Sequence, residues 1–307
     1  MGRYLIRRMV VLVPTALGVA TIVFVLLHAM PGDPVDVMLG ESATPADRTA
    51  LRTQLGLDRP VLEQYAAFMS RLAHADLGRS LYGGRPVAAM IANRYPSTLL
   101  LTFAALAVAL TVAVPLGILS AAKADGVIDH VALAASLVGV AIPNFWLGPM
   151  LILLFAVELG WLPVSGTGSA AHIVLPAATL GLAMAGVLTR MTRATVLETM
   201  HEEYVRTARA KGASESRVLW HHALANAATP MLSVLGLQFG SLLAGSVITE
   251  TIFSWPGLGR LTLEAIQTRD YPVVQGCVLV IALSYVTVNV LTDLAYAWAD
   301  PRIRVAR

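Results

Sequence analysis

Residues 203–218 read EYVRTARAKGASESRV. Their chemistry is that of docking rather than bond-breaking, since no nucleophile stands beside a base. If residues 198–211 form a helix, Met200, Tyr204, Ala208 and Lys211 share one face at spacings of three and four, flanked by Arg206 and Arg209. Gly212 then ends the helix, as a glycine does by taking the left-handed conformation. Ser214 is placed to cap a second helix running through Val218 and Leu219. The expected product is a helix–turn–helix elbow with a small-residue face and a basic rim, a shape made to be inserted into something. A solvated loop fits the same residues. An amphipathic membrane-surface helix fits less well, because Glu202, Glu203 and Glu215 interrupt it and large apolar residues are few.

What surrounds this island decides what it is attached to. Of 307 residues, 56% are hydrophobic and 13% charged, with a mean hydropathy of +0.69. Soluble domains carry about 25% charged residues, so the deficit points to a protein embedded in lipid. The net charge of +3 is not gathered on a soluble face, which argues against nucleic acid. Stretches free of Asp, Glu, Lys and Arg cover residues 9–32, 95–122, 130–157, 159–189, 218–249 and 271–292. Each is long enough for one crossing of about 20 residues. Polar and glycine-rich beginnings trim the fourth and fifth to 172–190 and 229–249. The expected fold is an all-α membrane protein of six transmembrane helices. The first apolar region exceeds a signal peptide's 7–15 residues, and no small-x-small cleavage site follows, so an uncleaved first span is expected.

Lys and Arg set the orientation. With both termini in the cytoplasm, thirteen of them fall on the inside, while the two short outer loops hold none and two. The other seven lie in residues 33–94, an outer segment too long for the rule to weigh. That segment has its own helical signals. Thr44-Pro45-Ala46-Asp47 supplies a cap, a first-turn proline and an acid, with a stop at Gly56. After Pro60, Val61, Leu62, Tyr65, Phe68, Met69 and Leu72 recur at helical spacing. An extracytoplasmic helical cap is expected, lying on the membrane or on the ends of the spans.

Several signatures are missing. No span window carries an ionisable residue of the kind that relays protons or ions in many carriers, and no internal repeat supports an inverted-repeat carrier. HExxH, GxSxG and GxxxxGK[ST] are absent, so no catalytic residue and no ATP-binding loop is expected in this chain. Cys277 is the single cysteine, and no metal site is expected. His28, His130 and His172 fall near span ends. The adjacent His221 and His222 point about 100° apart on a helix, a poor geometry for sharing one ion.

The island and its continuation, EYVRTARAKGASESRVLWHHALANA, resemble the cytoplasmic EAA loop of binding-protein-dependent ABC importers. The chain is similar in particular to permeases of the dipeptide, oligopeptide and nickel group. PGDPV (31–35), LGLDRP (55–60), DLGRS (76–80), IPNFWLG (142–148), ETIFSWPGLGRL (250–261), RDYPVVQ (269–275) and DPRIR (300–304) extend the likeness over nearly the whole chain. The resemblance implies a type I importer-like permease, not an enzyme. Its coupling helix would comprise Glu203, Tyr204, Arg206, Thr207, Ala208, Arg209, Lys211 and Gly212, docked on a separate ATPase. The loop departs from the family pattern at His222 and Leu224-Ala225, with proline delayed to Pro230. The implied organisation is a first span within residues 1–30, a cap over 31–94, a core over 95–299 with its coupling loop at 196–228, and a tail at 300–307.

Implied partners are a second, distinct permease, two ATP-binding subunits that use the ATP, an extracytoplasmic substrate-binding protein and membrane lipid. The implied place is a bacterial or archaeal cytoplasmic membrane, and short peptides are the expected cargo. Nickel or glutathione import and a non-transporting membrane scaffold are the alternatives. On the outer face Glu250, Phe253, Trp255, Pro256, Gly257 and Gly259 fit a rigid turn beside the pathway, and equally a plain structural loop.

Overall fold

The computed structural model describes residues 2–29, 33–39 and 43–299, with side chains from residue 13 onward and a few further gaps; PGDPV in part and DPRIR lie outside. The regular structure among the described residues is helical, with one isolated bridge between Arg79 and Pro86. In chain order the helices are α1 Gly2–Ala29, α2 Pro34–Leu39, α3 Pro45–Gln54, α4 Val61–Ala73, α5 Val87–Ala122, α6 Val127–Ala141 and α7 Asn144–Leu151. They continue with α8 Val174–Met200, α9 Glu203–Ala210, the single turn α10 Glu215–Arg217, α11 Leu224–Ile252, α12 Leu258–Gln267 and α13 Tyr271–Ala299. Two π-helical stretches, Ile152–Glu158 and Val218–Ala223, follow α7 and α10.

Each of the six uncharged windows meets helix. Val87–Ala122, Ala170–Met200 and Tyr271–Thr292 are long and apolar enough to cross a membrane alone, and counting each of two bent pairs as one span gives five. The third window is not one straight helix: α6 and the Asn144–Glu158 stretch meet at 102°. Pro143 is the cause. It offers no N–H to the turn before it, and it holds Ile142 in an extended conformation (φ −78°, ψ 118°). The fourth is longer than its trimmed range, because α8 carries on to Met200 before breaking at His201 and Glu202.

Two compact units share the chain: residues 1–98 with 256–284, and residues 99–255 with 285–307. In the first, Val23 and Leu27 of α1 pack with Val87 and Ile91 of α5, Leu258 and Leu261 of α12, and Val273 and Cys277 of α13. The expected cap helix α4 places Phe68, Tyr65, Met69 and Leu72 against Ala20 and Phe24 of α1 and Leu279 of α13. It is therefore the side of a span that it covers, and Val61 and Leu62, expected on the same face, stay exposed. Polar ties fix the seat: Thr21 Oγ1 lies 2.8 Å from Tyr65 Oη, and His28 Nε2 lies 3.1 Å from Gln64 Oε1. The Thr44–Asp47 capping box forms, and Gly56 has φ +68°.

The same unit joins two sequence motifs. Asp270 of RDYPVVQ accepts a hydrogen bond from Ser80 Oγ of DLGRS and another from the Leu81 N–H at 3.1 Å. Tyr82 Oη donates to the Thr268 carbonyl at 2.7 Å. The turn after the cap is thereby tied to the start of α13.

In the second unit Leu101, Ala105 and Ala109 of α5, Leu180, Met184 and Leu188 of α8, and Leu242 of α11 form the main core. The helices come close because glycines lie where they cross. A Cβ added at Gly186 of α8 would stand 2.5 Å from the Ser136 carbonyl oxygen of α6. Backbone cannot retreat as a flexible side chain can, so Gly186→Val should destabilise the chain by about 1–3 kcal/mol. Thermal unfolding of the purified protein in detergent measures this, and an unchanged Tm would disprove close packing there.

Candidate functional site

The elbow between α8 and α11 is built from α9 and α10. Gly212 takes φ +83°, and the Ser214 side chain accepts a hydrogen bond from the Arg217 N–H at 3.4 Å, as the spacing predicted. A clamp closes the two arms: Arg209 Nε reaches Glu215 Oε1 at 2.8 Å and Nη2 reaches Oε2 at 3.1 Å. This bidentate bond holds the Glu215 carboxyl below its ordinary range. Because that pKa is depressed, the clamp is present at neutral pH and is lost only as pH falls through the lowered value.

The elbow is rooted rather than loose. Val205 of α9 and Val218 after α10 are both 0% exposed. Leu219 and Met200 pack on a cluster of Ile118 and Ala121 from α5, Val196 from α8 and Met231 from α11. The inward face of α9 is thus Val205 with half-buried Ala208, while Met200 belongs to α8. Exposed are Glu203, Tyr204, Arg206, Thr207, Arg209, Lys211 and Gly212.

Two charges expected on the rim turn inward along the chain. Arg209 serves the clamp, and Arg206 pairs with Glu203 at 2.9 Å. Both acids lie within six residues of their arginines. Lys211 joins none of the ion pairs among the described residues. The side chains of His221 and His222 lie outside the described residues.

Behind the elbow is a charged clasp that the sequence did not single out. Asp129, at the start of α6, accepts from Arg193 of α8 through Nε and Nη2, each at 2.5 Å. It also accepts from Ser120 Oγ at the end of α5 and from the Asp125 N–H at 2.8 Å. The Asp129 side chain is 2% exposed and that of Arg193 21%. One carboxylate thus ties together α5, α6 and the helix that leads into the elbow. Its sequence signal was a pair of acids in the short turn between the second and third spans, facing an arginine that charge counting had assigned only to orientation.

The turn at residues 250–259 is packed, not open. Phe253 and Trp255 are buried, and Glu250, inside α11, is 0% exposed and accepts from Ser246 Oγ at 3.2 Å. The Gly166 N–H donates to the Phe253 carbonyl at 2.9 Å. Gly257 has extended backbone (φ −98°, ψ −177°), and the left-handed residue nearby is Ser254. Gly257 and Gly259 are buried and Pro256 half-buried.

Comparison with known proteins places this architecture. Residues 113–305 match the family described as "Binding-protein-dependent transport system inner membrane component", and residues 1–102 match its N-terminal counterpart. The glutathione transport system permease protein GsiC of Pectobacterium atrosepticum is 42% identical over 304 residues, covering 99% of each chain. The dipeptide transport system permease protein DppB of Escherichia coli is 42% identical over 336 residues, again covering 99% of each. Among solved structures, the MetNI methionine ABC transporter in an inward facing form overlays with a TM-score of 0.59 at 17% identity, covering 69% of this chain and 96% of that one. That likeness speaks for the fold alone. The chain belongs to the binding-protein-dependent transport system inner membrane components: it is a permease subunit of an ABC importer, not itself an enzyme.

Proposed function

We propose that this permease passes short peptides, of two or three residues, inward across a bacterial or archaeal cytoplasmic membrane. One observation carries the substrate class: relatives matching at 42% identity over 99% of the chain are named for a dipeptide and for glutathione, itself a tripeptide. The spans agree, since their uncharged windows offer nothing to trap a peptide's charged ends. No comparable observation favours nickel.

In this reading the chain crosses six times with both termini inside, residues 31–94 form the outer cap and residues 95–299 the core. It pairs with a second, distinct permease and receives cargo from an extracytoplasmic binding protein. Two ATPase subunits take the elbow, within loop 196–228, into a cleft. Tyr204, Arg206, Thr207, Lys211 and Gly212 meet the ATPase, while Arg209 and Glu203 keep the elbow's shape. Closure of the ATPases on ATP moves the elbow, and the spans follow as rigid bodies. Glu250, Phe253, Trp255, Pro256, Gly257 and Gly259 form the extracytoplasmic turn beside the pathway.

Uptake in proteoliposomes holding the whole importer tests the substrate. ATP-dependent accumulation of labelled dialanine or glutathione is expected, with the other compound acting as a competitor if one binding protein serves both. ATP-dependent uptake of nickel without uptake of either peptide would replace this reading.

A further inference from the structure

Within the second unit a cavity of about 230 Å³ lies among α6, α7, α8 and α11. Its apolar wall includes Val140, Leu180 and Met184, and its polar groups are Asn144, Gln238 and Ser241. Asn144 is the first residue after the Pro143 break, so the 102° bend brings an amide to the cavity's edge. Gln238 and Ser241 are three residues apart on α11 and share a face. The Asn144 Oδ1 is buried and has no hydrogen-bond partner among the described residues. Neither Gln238 nor Ser241 has a side-chain hydrogen bond among them.

Such groups are out of place in a membrane. A buried amide left without a partner costs a few kcal/mol, and facing lipid would be no remedy. All three are neutral, and each can donate or accept. We propose that Asn144, Gln238 and Ser241 form a hydrogen-bonding station for the peptide backbone of the passing substrate. A primary amide matches a peptide bond, offering C=O to its N–H and N–H to its C=O. This recognises what all short peptides share and ignores their side chains. With no fixed charge, it lets charged termini go by. Its volume is below the roughly 300–1,000 Å³ of ligand pockets, as suits a place of passage. The inference rests on the peptide reading above.

The test uses the complete importer in proteoliposomes and two substrates, dialanine and the same dipeptide methylated on its peptide nitrogen. Comparing their transport ratio in wild type and variant cancels any preference of the binding protein, which is the same in both. Asn144→Leu should slow dialanine by roughly tenfold, about the worth of one hydrogen bond, while changing the methylated analogue little. Gln238→Leu, on another helix, should act in the same direction and guards against a fault confined to the α6–α7 break. Equal slowing of both substrates, or of neither, in two assembled variants overturns the station. Failure of both variants to assemble with the second permease overturns it too, and assigns these groups to the permease interface. If the wild type takes up neither dipeptide nor glutathione, the peptide reading itself fails, and the station with it.

Discussion

Arg193→Ala is expected to destabilise the folded chain, because it leaves the carboxylate of a largely enclosed ion pair behind without its partner. The Asp129 carboxylate is 2% exposed. It would keep the Ser120 hydroxyl and the Asp125 N–H, but it would lose both bonds to the guanidinium. Folded proteins hold only about 5–15 kcal/mol in reserve, so the loss should appear as a marked drop in Tm. What chain survives should still hydrolyse ATP in the complex while importing little, because α8 is no longer tied to α5 and α6 behind the elbow. Lysine at 193 keeps the charge but loses the two-pronged geometry, and should rescue only part of the effect. Unfolding in detergent, together with transport per ATP in proteoliposomes, gives both numbers. An unchanged Tm and an unchanged ratio would remove the clasp from the argument.

Gly212→Val should have the second largest effect, an approximately tenfold or greater loss of ATPase capture. The φ of +83° is the reason, since bulk meets no obstacle in this chain: a Cβ there finds nothing within 4 Å. An ordinary L-residue is disfavoured in that conformation by about 1–2 kcal/mol, and β-branching makes it worse. Each 1.4 kcal/mol is a factor of ten. Asparagine tolerates the left-handed region, so Gly212→Asn should retain most of the binding. Copurification of the ATPase with each variant, scored against the second permease, is the measurement. Equal capture by Val and wild type would show that the elbow need not hold this turn to dock.

Much of the chain was legible residue by residue. The Thr44–Asp47 box, the stop at Gly56, the helix after Pro60, the turn at Gly212 and the Ser214 cap depend on neighbours within five positions. Local sequence settles such features because a cap or a glycine turn closes its own hydrogen bonds. The long apolar helices Val87–Ala122, Ala170–Met200 and Tyr271–Thr292 were legible for a different reason: lipid excludes charge, so uncharged length is itself the signal. The likeness to importer permeases was legible from motifs in order, and the family matches agree with it.

Contacts between side chains were less legible. The residue types place Arg206 and Arg209 on the elbow's rim, and the structure adds that Glu203 and Glu215 pair with them there. The lack of charge marks the third window as one crossing, and the size of its bend at Pro143, 102°, comes from the structure. The residues of the 250–259 turn fit a rigid turn or a plain loop, and the structure adds that Glu250, Phe253 and Trp255 are buried. Asp129 and Arg193 are 64 positions apart, and no periodicity joins them.

By itself, then, the sequence determined that this is a helical membrane protein, which stretches are free of charge, how its elbow turns and which family it resembles, because each rests on local bonding, on exclusion of charge from lipid or on motifs in order. Only the tertiary structure decided which charges pair, which polar groups meet at the Pro143 bend and which faces are buried. Those depend on the directions in which side chains far apart in sequence are brought together, and composition and spacing do not encode that in readable form.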